Sequence, residues 1–193
     1  MSRSGDYDYD EDFPNQAAFW HHNAERALKG RRGKKALTEL REALLMLPEK
    51  RLVEGAMSTA ALAAKYEGEP DEEMRYTWQA QEHRLQRNWE KRDAMQKVED
   101  EGIGVCAVGA YLLRKRVLET GETPEDAMRN LPALADIESY DMTDTVDLGE
   151  QGGLSRYVAY TLADLNDETF GACTPEQRYE KFLAWIDKEL ANA

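Results

Sequence analysis

The chain has 193 residues, with 25 Lys and Arg against 38 Asp and Glu, and a formal net charge of −13. The length suits one domain, every apolar run stops well short of the ~20 residues that cross a bilayer, and the negative balance disfavours non-specific contact with nucleic acid or anionic membranes. Residues 15–66 carry ten Lys or Arg against five Asp or Glu and are the one net-basic stretch, so any phosphate recognition must be local to it.

Residues 1–14 read as an acidic N-terminal arm, and residues 15–193 as a single helical domain. Met1 to Phe13 has neither the basic start nor the apolar run of a secretory signal. Asp6, Asp8 and Asp10 alternate as in a calcium loop, but Glu11 and Ala17 stand where that loop needs Gly and Glu. From Ala17 the stripe Trp20, Ala24, Ala27 and Leu28 predicts a first helix ending at Gly30, followed by a loop from Gly30 to Gly33. Leu37, Leu40, Leu44 and Leu47 predict a second helix stopped by Pro48. Leu52, Val53, Ala56, Met57 and the alanines to Ala64 predict a third, closed by Gly68 and Pro70.

The stretch from Asp71 to Glu99 lacks Gly and Pro and is highly charged, which predicts one long helix. Helical spacing gathers Met74, Trp78, Leu85 and Trp89 into one narrow seam, suited to packing on a single other helix. The alanine-rich third helix or another chain is the expected cover. Trp78, Leu85 and Trp89 are therefore the partner-binding candidates, and the 71–99 helix is a route to an oligomer.

Ile103 to Leu118 is the most apolar stretch and predicts a central helix. A short helix follows Pro124, and a loop runs from Asp136 to Gly153, with Asp141, Asp144, Asp147 and Glu150 as a charged edge. Leu154, Tyr157, Val158, Thr161, Leu162 and Leu165 form the next stripe. Thr174-Pro-Glu-Gln177 is a capping box opening a last helix that buries Tyr179, Phe182, Leu183, Ile186 and Leu190. With no alternating strand pattern anywhere, the expected fold is all-α: a compact multi-helix bundle with a long charged helix.

Chemistry is sparse. Gly102-Ile-Gly104-Val-Cys-Ala107 fits the dinucleotide pattern G-x-G-x-x-A, yet it follows a charged helix instead of the buried strand that such a site needs, so glycine for close packing is the reading. His21, His22, His83, Cys106 and Cys173 have no zinc-ligand spacing, and Ser155 lacks the second glycine of a nucleophile elbow. The cysteines read as free thiols of a reducing cytoplasm. No catalytic residue, metal or cofactor is assigned. Arg31, Arg32, Lys34 and Lys35 carry two readings: a solvated interhelical loop balancing an acidic body, or an anion site in which the opening amides of the second helix meet a phosphate.

Met1-Ser-Arg-Ser-Gly5, Arg31-Arg-Gly-Lys-Lys35, Leu47-Pro-Glu-Lys-Arg-Leu52, Gly104-Val-Cys-Ala-Val-Gly109, Asn166-Asp-Glu168 and Thr174-Pro-Glu-Gln-Arg178 with Trp185 resemble, in order, a family of small proteins carried by tailed phages and prophages. The resemblance implies phage origin and the cytoplasm of an infected bacterium, makes residues at about 57–100 an insertion in the single helical domain and their long charged helix an inserted one, and supplies no activity. It adds Asn166, Asp167 and Glu168 as polar-site candidates, where two adjacent carboxylates suit acid–base work but have no identifiable partner base or nucleophile. The leading expectation is a non-enzymatic accessory protein that binds a host or phage macromolecule, with blunting a host defence as one role it would serve. Nucleotide or nucleic-acid binding through residues 29–35, an enzyme using the 166–168 region, and a virion component are the alternatives.

Overall fold

Five helix starts share one device. A side chain just ahead of the first turn accepts a backbone amide two or three residues inside it, satisfying a donor that the helix cannot. Ser58, Thr123, Ser155 and Thr174 do this with hydroxyls, and Cys106 with its sulfur. At Thr174 the capping box is complete, with Gln177 Oε1 accepting from the Thr174 amide at 3.2 Å.

The computed structural model describes residues 22–54, 56–67, 78–132 and 143–192, the side chains of 78–84 and 143 excepted. Helices cover residues 22–29 (α1), Arg31–Met46 (α2), Thr59–Tyr66 (α3), Trp78–Glu101 (α4), Ala107–Thr120 (α5), Pro124–Arg129 (α6), Thr143–Gln151 (α7) and Arg156–Asp164 (α8). α8 runs on into a wide π turn at Leu165–Thr169, and Pro175–Ala191 forms α9. No strand forms among the described residues, so the all-α expectation holds. No described helix is long and apolar enough to cross a membrane.

α5 is the centre, in contact with α2, α6, α7 and α8, while α2 also packs on α9. Leu37, Leu40, Leu44, Leu113, Leu162, Phe182 and Ile186 are at most 1% exposed and fill this core. A smaller apolar cluster sits under α4, where Ala94 packs with Val53, Ala56, Leu62 and Tyr66, and Val98 joins from the side.

Four expectations are corrected. The loop expected from Gly30 to Gly33 shrinks to Gly30 alone, because Arg31–Gly33 already form the first turn of α2. Gly33 is buried there: a Cβ on it would lie 2.0 Å from the Ala27 carbonyl oxygen, so only glycine lets α1 and α2 meet so closely. The third helix begins at Thr59 instead of Leu52. The described residues ahead of it stay out of the helix because their polar groups have tertiary partners: Leu52 and Ser58 bridge to Val105, the Val53 amide donates to Val105 O at 3.1 Å, and Met57 O accepts from the Cys106 amide at 3.1 Å. The same pairing holds Gly104–Cys106 extended, so the central helix starts at Ala107 and not at Ile103. Within the loop expected from Asp136 to Gly153, α7 forms, burying Val146 to 2% exposure. Asp147 and Glu150 on that helix both reach Arg156, at 3.3 and 3.1 Å; Asp141 lies outside the described residues.

Candidate functional site

α4 contains 24 residues, about 36 Å of helix, whereas α3 has eight, about 12 Å. The alanine-rich helix does pack on α4, as expected, and among the described residues its apolar contact with α4 runs through Ala94 and Val98. Leu85 and Trp89 lie one turn apart on the opposite side of the helix, about half a turn from Ala94 and Val98. They are 55% and 62% exposed, and every residue from 85 to 89 is exposed. The expectation that α3 covers them is overturned, for a geometric reason: α3 is too short and sits on the wrong face. Trp78 is helical but its side chain, like all of Met74, lies outside the described residues.

The basic candidates fall on the opening turn of α2. Arg31, Arg32 and Lys35 are exposed, Lys34 is half-buried, and Lys35 pairs with Glu39 at 3.7 Å. Gly30 caps this end with no side-chain bond, and no acidic residue enters the first turn. Positive side chains thus sit at the positive end of the helix dipole, an arrangement that costs stability unless an anion answers it.

The Asn166-Asp167-Glu168 triplet lies in the π turn, and its members do not converge on one site. Asn166 is fully buried, accepting from the Ala107 amide at 3.2 Å and donating to Val53 O at 2.8 Å and to Asp167 Oδ1 at 2.6 Å. Its amide ties the start of α5 to Val53 in the segment ahead of α3. Glu168 points to solvent.

The residue that sequence reasoning missed is Arg178, whose side chain is 1% exposed. Its guanidinium donates to six oxygens: Leu52 O at 2.7 Å, Gly171 O at 2.9 Å, Cys173 O at 3.1 Å, Phe170 O at 3.3 Å, Glu54 Oε2 at 3.0 Å and Glu101 Oε2 at 3.1 Å. The signal was present, since Arg178 stands four residues before Phe182 and eight before Ile186, on the apolar stripe of α9. A charge there must be buried with partners. Burial raises Glu54 above the ordinary glutamate value; Arg178 pulls it down, Asp167 and Glu101 push it up, and Lys97 pulls it down more weakly.

This cluster joins four chain segments and leaves the guanidinium no free donor for a substrate. Of the two cysteines, Cys173 lends the cluster its carbonyl and has its sulfur 3.0 Å from Lys181 Nζ, and Cys106 is buried, which pushes its thiol up to about 12 and keeps it protonated. Among the described residues, no group of three or more His, Cys, Asp and Glu could hold a metal ion. Arg51 lies over Gly102, where a Cβ would fall 2.0 Å from Nη1, and reaches Glu176 at 2.8 Å. The G-x-G spacing therefore makes room for a side chain of the protein itself. Compared with family models, curated proteins and solved structures, the chain matches none.

Proposed function

We propose that this is a non-enzymatic binding protein, an accessory factor of a tailed phage or prophage acting in the host cytoplasm, which holds a host or phage protein through the exposed face of α4. One observation carries the reading: Leu85 and Trp89, adjacent on one helix face, stand in water on the side of α4 away from the body. Exposing them forgoes roughly 1.5 to 3 kcal/mol for each that could be buried, and an aromatic anchor beside an aliphatic one is the kind of feature that dominates interface energetics. Phage origin rests on the ordered motifs, and blunting a host defence is one role such a binder would serve.

The test is paired capture from the bacterial host with the wild type and with Leu85→Ser/Trp89→Ser. A protein retained by the wild type and lost from the variant, with unchanged helicity, supports the proposal. Identical retention on both would end it. A second reading, nucleotide or nucleic-acid binding, is favoured by the uncapped, acid-free first turn of α2 with Arg31 and Arg32 exposed; it requires affinity that falls steeply with salt.

A further inference from the structure

A groove of about 230 Å³ opens between α3 and α6, away from the Leu85–Trp89 face. Ala60, Ala63 and Ala64 give it a low wall, and Met128 and Ile103 close its apolar lining. Ile103 is 39% exposed although Val105 and Cys106, just beyond it, are buried. Small-molecule and cofactor sites run from roughly 300 to 1,000 Å³. This groove falls below that range and suits a single anchoring side chain or two, not a whole cofactor.

Charge then selects the ligand. Glu49, Glu67 and Glu125 line the groove, against the lone Arg129. None of these three carboxylates has an ion-pair partner among the described residues. The lysines nearest them in sequence are turned elsewhere: Lys50 Nζ donates to Leu45 O at 2.5 Å, and Lys65 Nζ lies 4.9 Å from the Tyr66 ring centre. An apolar floor with an acidic rim repels phosphates and carboxylates and attracts cations that flank an apolar group.

We propose that this groove is a docking site for a basic peptide segment of a partner protein, one aliphatic side chain seated on the alanine wall and Lys or Arg on either side paired with Glu67 and Glu125. The proposal is independent of the α4 face, because neither Leu85 nor Trp89 lines the groove.

The probe is a fluorescein-labelled hexapeptide, Lys-Arg-Leu-Leu-Lys-Arg, with one control carrying alanine for both leucines and another carrying glutamate for every cation. Fluorescence polarisation should show binding of the first, and weakening of about tenfold or more when the leucines are lost or when Glu67→Lys/Glu125→Lys reverses the rim. Ala64→Tyr, which fills the groove while leaving every charge in place, should abolish binding. On the unmutated protein, backbone amide shifts on titration should centre on Ala63, Ala64 and Ile103, a readout that does not depend on any variant folding. Equal binding of the leucine and alanine peptides would mean that the −13 body attracts basic chains without the groove, and would overturn the proposal. So would shifts elsewhere, no binding at millimolar peptide, or self-association that Glu67→Lys removes, which would assign the groove to a second copy of the chain.

Discussion

At the scale of single residues, Arg178 decides more than any apolar side chain. It sits in α9 but bonds to the 52–54 segment, to the C-terminal end of α4 and to the 170–173 loop. Removing one partner of a buried ion pair leaves the other charge without compensation, at a cost of about 3–5 kcal/mol. Arg178→Met is therefore expected to lower the unfolding free energy by that amount in urea titrations. Arg178→Lys should restore less than half of it, because an ammonium has three donors and no planar fork for six acceptors. Full rescue by lysine would mean that only the charge matters. Glu54 beside it has a pH signature. A carboxyl whose proton is held more tightly in the folded state makes stability fall as pH rises from its ordinary value, about 4.3, through its raised one. Glu54→Gln removes that titration yet keeps an oxygen for Arg178. The variant should gain on the wild type as pH rises through this interval, in urea midpoints taken at a series of pH values; a variant that loses ground instead refutes the assignment.

Among elements, what the sequence revealed is what local rules control. The Leu37–Leu47 spacing, the Pro124 start and the Thr174 capping box depend on residues within one or two turns, and each stands where the pattern puts it. The stretch from Leu52 to Ser58 failed because its apolar run fits a helix equally well. What keeps its described residues out of a helix is distant in sequence: Val105 and Cys106 pair with them, and the side chains of Asn166 and Arg178 take the carbonyls of Val53 and Leu52. The α4 seam failed differently. Leu85 and Trp89 do share one face, but periodicity cannot say how long the partner helix is, and α3 ends at Tyr66. Glu54 and Glu101 were invisible as a site because forty-six positions separate them and only Arg178 brings them together.

Over the whole molecule, stability should be graded along α4. Its C-terminal part closes a small apolar cluster through Ala94 and is pinned at Glu101 by Arg178, so opening it disturbs both cores. Residues 85–89 are all exposed, and their helical hydrogen bonds face solvent. Such segments open locally at a small fraction of the global unfolding free energy. Amide hydrogen exchange should therefore be fast over residues 85–90 and slow over 94–101, with α5 slowest of all. The gradient also separates the two ways in which the Leu85–Trp89 face could be covered. If the isolated protein protects residues 85–90 as well as α5, and dilution removes that protection, the face is an oligomer contact. If protection there is absent at every concentration and arises only when a foreign protein is added, the face is a docking surface, and the ordering of this part of α4 is part of what binding must offset.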